Sequence, residues 1–108
     1  MKYRVPNTTK KIVKAMLQDT AARSRRRAAG KLTEFDRLAE SAIKAARGDM
    51  VMPGFSPEIK KIVTDKIIES IARTRPWEQM GDTYCCRVSF YNFRVQYIYH
   101  VARRMHML

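Results

Sequence analysis

Cysteine is nearly absent from this chain: there are two, Cys85 and Cys86, and they are adjacent. A bridge between neighbours closes a strained ring, so no disulfide framework holds the fold. Long apolar runs are missing as well. The longest charge-free stretches, such as Val95 to Val101, fall far short of the ~20 apolar residues a bilayer crossing needs. The first twenty residues lack an apolar h-region and a small-residue cleavage site and are interrupted by Lys10, Lys11 and Lys14, so no secretory leader is expected and the cytoplasm is the expected compartment. Catalytic signatures are missing too: no paired-carboxylate motif, no Gly-rich phosphate loop, no G-x-S-x-G and no histidine beside a credible acid or nucleophile. The chain is therefore not expected to be an enzyme. Cys85, Cys86, His100 and His106 make a poor zinc set, because vicinal cysteines chelate badly in a tetrahedral site, and no metal or other cofactor is expected.

Acids are the other scarcity. Ten Asp+Glu face 22 Lys+Arg in 108 residues, a formal net charge of +12. Residues 1–31 hold ten bases (Lys2, Arg4, Lys10, Lys11, Lys14, Arg23, Arg25, Arg26, Arg27, Lys31) against Asp19 alone. Residues 32–82 are nearly neutral, with eight bases and nine acids, and residues 83–108 have Arg87, Arg94, Arg103 and Arg104 with no acid. Positive charge segregated to the two ends suits a polyanion, since each phosphate neutralised releases condensed counterions. A membrane surface is not expected: Ile12, Val13, Met16 and Leu17 lie beside the N-terminal lysines, but no Trp or Phe in that segment anchors them.

Apolar spacing predicts helices. The first starts after Pro6, carries Ile12, Val13, Met16 and Leu17, and runs through Ala21-Ala22 into the Arg cluster as far as Gly30, its last half ordering on a partner. Thr33 with Asp36 three residues on is a capping-box start for a second helix, with Phe35, Leu38, Ala39, Ala42, Ile43 and Ala46 as its buried face and Arg47-Gly48 as its end. Residues 48–56 are a connector whose Met50, Val51, Met52 and Phe55 pack down onto the core. Ser56-Pro57-Glu58 starts a third helix carrying Ile59, Ile62, Val63, Ile67 and Ile71, stopped by Arg75-Pro76.

From Trp77 onward a short helix, a tight turn at Cys85-Cys86 and a longer helix fit the sequence, with Trp77 anchoring the first helix and Gly81 giving the close crossing such a pair needs. A β-hairpin is disfavoured over 84–99, where no Gly or Asn-Gly turn occurs and strict alternation fails. On the last helix Phe90, Phe93, Tyr97 and Val101 form one apolar row with Tyr91, Val95, Ile98, Ala102 and Met105 beside it. The opposite row, Ser89, Asn92, Gln96, His100 and Arg103, is polar and acid-free. Asn and Gln pair bidentately with adenine and Arg with guanine.

Trp77, Glu78, Gln79, Met80, Gly81, Tyr84, Cys85, Arg87, Ser89, Phe90 and Tyr91 resemble the helix-turn-helix string of sigma-factor region 4 and of small phage-encoded transcription regulators that share it. The similarity covers residues 75–105. Cys85 stands where the family has a turn glycine, and Phe90-Tyr91 comes one residue early. The resemblance implies sequence-specific binding of double-stranded DNA by a phage or prophage transcription regulator.

The expected architecture is all-α: a basic helix or arm over residues 1–31, then a helical domain over 32–108, four to five helices in all, with a C-terminal helix-turn-helix and a long last helix. Arg87, Ser89, Asn92, Gln96 and His100 are expected to read bases, and Lys10, Lys11, Lys14, Arg23, Arg25, Arg26, Arg27, Arg103 and Arg104 to contact phosphates. A homodimer would suit palindromic DNA. The alternative is a phage-encoded inhibitor of a host nucleic-acid machine, of the anti-CRISPR type, docking on a host protein or nucleoprotein complex. A weaker third reading is a ring-forming DNA-packaging factor of the small-terminase kind.

Overall fold

The computed structural model describes residues 3–108 and contains five α-helices, with no strand among the described residues. Lys2, counted above in the basic N-terminal segment, lies outside them. The helices are α1 (Asn7–Gln18), α2 (Thr20–Ala28), α3 (Glu34–Asp49), α4 (Pro57–Arg73) and α5 (Arg87–Arg104). None is long and apolar enough to cross a membrane.

Local chemistry sets most of the ends. At α3 the Thr33 hydroxyl accepts from the Asp36 N–H at 3.0 Å, and the Asp36 carboxylate accepts from the Thr33 N–H at 3.1 Å, completing the capping box. At α4 the Ser56 hydroxyl accepts from the Ile59 N–H, with Pro57 in the first turn. α2 ends in a Schellman motif around Gly30, whose φ of 68° favours a residue without Cβ; Lys31 N–H reaches the Arg26 carbonyl and Gly30 N–H that of Arg27.

The expected single helix from Pro6 to Gly30 is broken at Asp19. No proline or glycine sits there. The carbonyls freed by the break are instead taken by side chains: Arg23 Nη1 donates to Met16 O at 2.7 Å and Thr20 Oγ1 to Leu17 O at 2.8 Å. The Arg-rich half needs no external partner to be helical, because Arg26 binds Asp36 through both Nε and Nη2 and also reaches Asp19, fastening α2 to α3.

Val13, Met16 and Leu17 of α1 enter the same core as Val63, Ile67 and Ile71 of α4 and Phe90, Tyr97 and Val101 of α5. Within the segment 1–31, α1 and α2 are thus part of the packed domain rather than a free arm. α3 contributes Ala39, Ala42 and Ala46, small side chains that bring its backbone close to bulky α5, and the Tyr97 hydroxyl donates to the Ile43 carbonyl at 3.0 Å. Phe35 and Leu38, expected on that buried face, are exposed, Phe35 by 56 %. In the connector Met50 and Met52 go into the core and Phe55 is half-buried, but Val51 points out, since extended backbone sends successive side chains to opposite sides.

Candidate nucleic-acid interface

Where the sequence predicts the short helix after Pro76 there is one 3₁₀ turn, Trp77–Gln79. Gly81 lies beyond it with φ 70°, so it serves a left-handed turn rather than a helix crossing. Trp77 is half-buried at the edge of the core, its indole N–H bonded to Thr83 Oγ1 at 2.8 Å and its backbone N–H to the Tyr91 hydroxyl at 3.1 Å. Asp82 then accepts from the Tyr84 N–H, and the chain enters α5 through Cys86 at its N-cap position. The Cys86 thiol, 3.3 Å from Ser89 Oγ, is pulled below its ordinary value by that contact, whereas burial pushes the Cys85 thiol up.

The five expected base-reading residues divide at the middle of α5. Arg87 and Asn92 are exposed and Ser89 is half-buried. Gln96 is 5 % exposed and clamps the connector: its Oε1 accepts from Val51 N–H at 2.6 Å and its Nε2 donates to Val51 O at 3.1 Å. His100 is 9 % exposed, 3.3 Å from Gln96 and edge-on to the rings of Tyr3 and Tyr99. Burial holds the His100 imidazole below its ordinary range, with Arg103 and Arg104 adding to the effect and Asp49 opposing it. Gln96 is turned inward onto the Met50–Phe55 connector, and the base-reading role expected of it is corrected to that of a clamp. His100, expected on the same reading row, is buried beside Tyr3 and Tyr99 at the edge of a groove lined by Asp49, Arg103, Arg104 and His106.

The expected phosphate contacts divide by whether a carboxylate holds them: four of the six arginines are paired, and Arg25, Arg103 and the three lysines are not. Among the described residues every ion pair uses arginine and none uses lysine: Arg23 and Arg26 with Asp19, Arg26 with Asp36, Arg27 with Glu40, Arg47 with Asp65, Arg75 with Glu69, Arg87 with Glu78 and Arg104 with Asp49. A guanidinium fork suits a carboxylate held in fixed geometry, and Arg104 and Asp49 meet through two contacts of 2.8 Å. The Arg26 bonds hold the Asp36 carboxyl well below the usual carboxylate range and raise Arg26 in turn. Of the remaining acids, Glu34 and Glu58 sit in first helical turns and Asp82 caps Tyr84. All ten carboxylates thus have internal work, and Arg26, Arg27 and Arg104 are committed to it, while Arg23 shares Asp19 with Arg26 only at the longer distance of 3.7 Å. Lys10, Lys11, Lys14, Arg25 and Arg103 have no carboxylate partner.

Sequence reasoning missed Arg94. It lines a shallow groove of about 280 Å³ between α1 and α5 with Lys10, Tyr91, Val95 and Ile98, and no acid lines it. Arg94 and Arg87 both lie over the Tyr91 ring, at 5.3 and 5.4 Å from its centroid. Arg94 is half-buried without a carboxylate, and desolvation lowers its pKa. The spacing of Arg87, Tyr91 and Arg94 is the only sequence signal for this stack. Lys14 and Lys11 continue the positive side along α1. No protein-family model matches the chain, and no curated protein or solved structure is detectably similar to it.

Proposed function

We propose that this protein binds double-stranded DNA across the α1–α5 face. The observation that carries the reading is the acid-free groove of Lys10 and Arg94, where a half-buried guanidinium stacks on Tyr91 with no carboxylate to neutralise it. An extended polyanion matches this surface: Lys10 and Arg94 line the groove from α1 and α5, and Lys11 and Lys14 lie one residue and one turn further along α1. Sequence preference in this reading comes from the exposed first turns of α5, through Arg87, Ser89 and Asn92, and is narrower than a five-residue reading row would give. A role in transcription control is the part of this reading that rests on sequence resemblance alone, since the short first helix of the expected helix-turn-helix is a single 3₁₀ turn.

The test is anisotropy titration of the full chain against a duplex at 50 and 200 mM salt. Four phosphate contacts, from Lys10, Lys11, Lys14 and Arg94, give a log–log slope of about −3.6 and an affinity loss of about 150-fold over that range. Lys10→Ala is expected to flatten the slope by about 0.9, whereas Arg73→Ala, an equal charge loss at the end of α4, leaves it unchanged. Binding that is absent, or equally weakened by both variants, would refute the assignment.

A further inference from the structure

A second cationic site lies away from the α1–α5 face, in a groove of about 560 Å³ between α2 and α3. Its floor is Arg23, 4 % exposed. A buried guanidinium needs close negative charge, yet the nearest carboxylate, Asp19, is 3.7 Å away and is held at 2.6 Å by Arg26. Arg23 spends its Nη atoms on Met16 O and Thr20 Oγ1, and its Nε finds no partner within the protein. Of the other lining cations, Arg27 and Arg47 are paired with Glu40 and Asp65, and Lys44 is left over. Lys44 makes no ion pair, and the hydroxyls of Ser24 and Ser41 have no hydrogen bond among the described residues. The one acid lining the groove, Glu40, is neutralised by Arg27 beside it. Ile43 supplies an apolar wall.

We propose that this groove binds a phosphomonoester, with the phosphate over Arg23 between Lys44 and the Ser24 and Ser41 hydroxyls and the organic part along Ile43. An undercompensated buried cation, an unpaired ammonium and two hydroxyl donors converging on one space are what a compact dianion requires. The volume exceeds that of phosphate alone and lies within the range of small-molecule pockets, about 300–1,000 Å³. The groove is formed by α2 and α3 and shares no lining residue with the α1–α5 groove. The site therefore stands or falls independently of DNA binding by α1 and α5.

Calorimetric titration of the full chain at physiological salt with AMP, adenosine, inorganic phosphate and a short single strand carrying either a 5′-phosphate or a 5′-hydroxyl tests this. AMP is expected to bind and adenosine not to, with Lys44→Ala weakening AMP about tenfold or more, the worth of a charge-assisted hydrogen bond. Arg73→Ala is the charge-matched control and should change nothing. Tighter Lys44-dependent binding of the 5′-phosphorylated strand than of AMP identifies a strand end as the source of the phosphate; the reverse identifies a free nucleotide. No binding by any phosphate-bearing probe overturns the proposal. So do inorganic phosphate binding as well as AMP and equal losses in the two variants.

Discussion

Gln96 is the residue on which the sequence and the structure disagree most usefully. Its place on the polar row of α5 makes it an adenine reader, while its hydrogen bonds make it the clamp of the Met50–Phe55 connector. Gln96→Ala removes both bonds to the Val51 peptide. At about 0.5–1.5 kcal/mol net for each, the loss is about 1–3 kcal/mol. A chain of 108 residues has about 5–15 kcal/mol of stability in total, so the variant should fold but melt roughly 5–15 °C lower. Its urea midpoint should fall with little change in slope, since the same core is exposed on unfolding. Affinity of the folded fraction for duplex DNA should stay within about twofold, far from the ~10-fold that a lost bidentate base contact of 1–3 kcal/mol gives. An unchanged melting temperature with weakened binding to one sequence would refute the reasoning and return Gln96 to a reading face.

Two further outcomes follow from buried groups. Tyr97→Phe keeps the volume of a fully buried side chain and removes its bond to Ile43 O, so denaturant titration should show a loss of about 0.5–1.5 kcal/mol with no change in DNA affinity. Acid titration of stability should show two steps. His100 is held below its ordinary 6.5 in the folded state, so the unfolded chain takes its proton first and stability declines as pH falls through that value. Asp36 is likewise held below its ordinary 3.8, so its contribution is intact above that pH and is lost below it. His100→Gln should remove the upper step, and Asp36→Asn should shrink the lower one to the part that Asp49, held down by Arg104, still supplies in chemical melts at fixed pH; both steps surviving both substitutions at full size would place the linkage elsewhere.

What could be read from the sequence was what neighbouring residues decide. Thr33 and Asp36, Ser56 and Pro57, and Gly30 act within a turn of themselves, and each end forms as its residues specify. The break at Asp19 escaped because it is made by Arg23 and Thr20 reaching back to carbonyls of α1, a contact without a composition signal. The periodicity of α5 separates an apolar side from a polar one but does not say what lies against the polar side; the connector covers Gln96, and Tyr3 and Tyr99 pack beside His100. Phe35 and Leu38 fit the period of α3 yet fall beyond the span that α5 covers.

The charge is the deeper case, because net charge counts side chains and binding depends on which of them remain unspent. The Arg23–Arg27 run read as the strongest polyanion signal, but Asp19, Asp36 and Glu40, four to thirteen residues away along the chain, absorb most of it. Because the guanidinium fork is the better carboxylate partner, arginine goes preferentially to the internal pairs, and lysine is left at the surface. The positive surface is then drawn by Lys10, Lys11 and Lys14 rather than by the arginine run. Arg94 belongs with them for a different reason: no acid was placed near it. In a basic chain with this few acids the free cations are the remainder after pairing, and the α1–α5 groove, proposed above as the DNA-binding face, is where that remainder meets an aromatic ring.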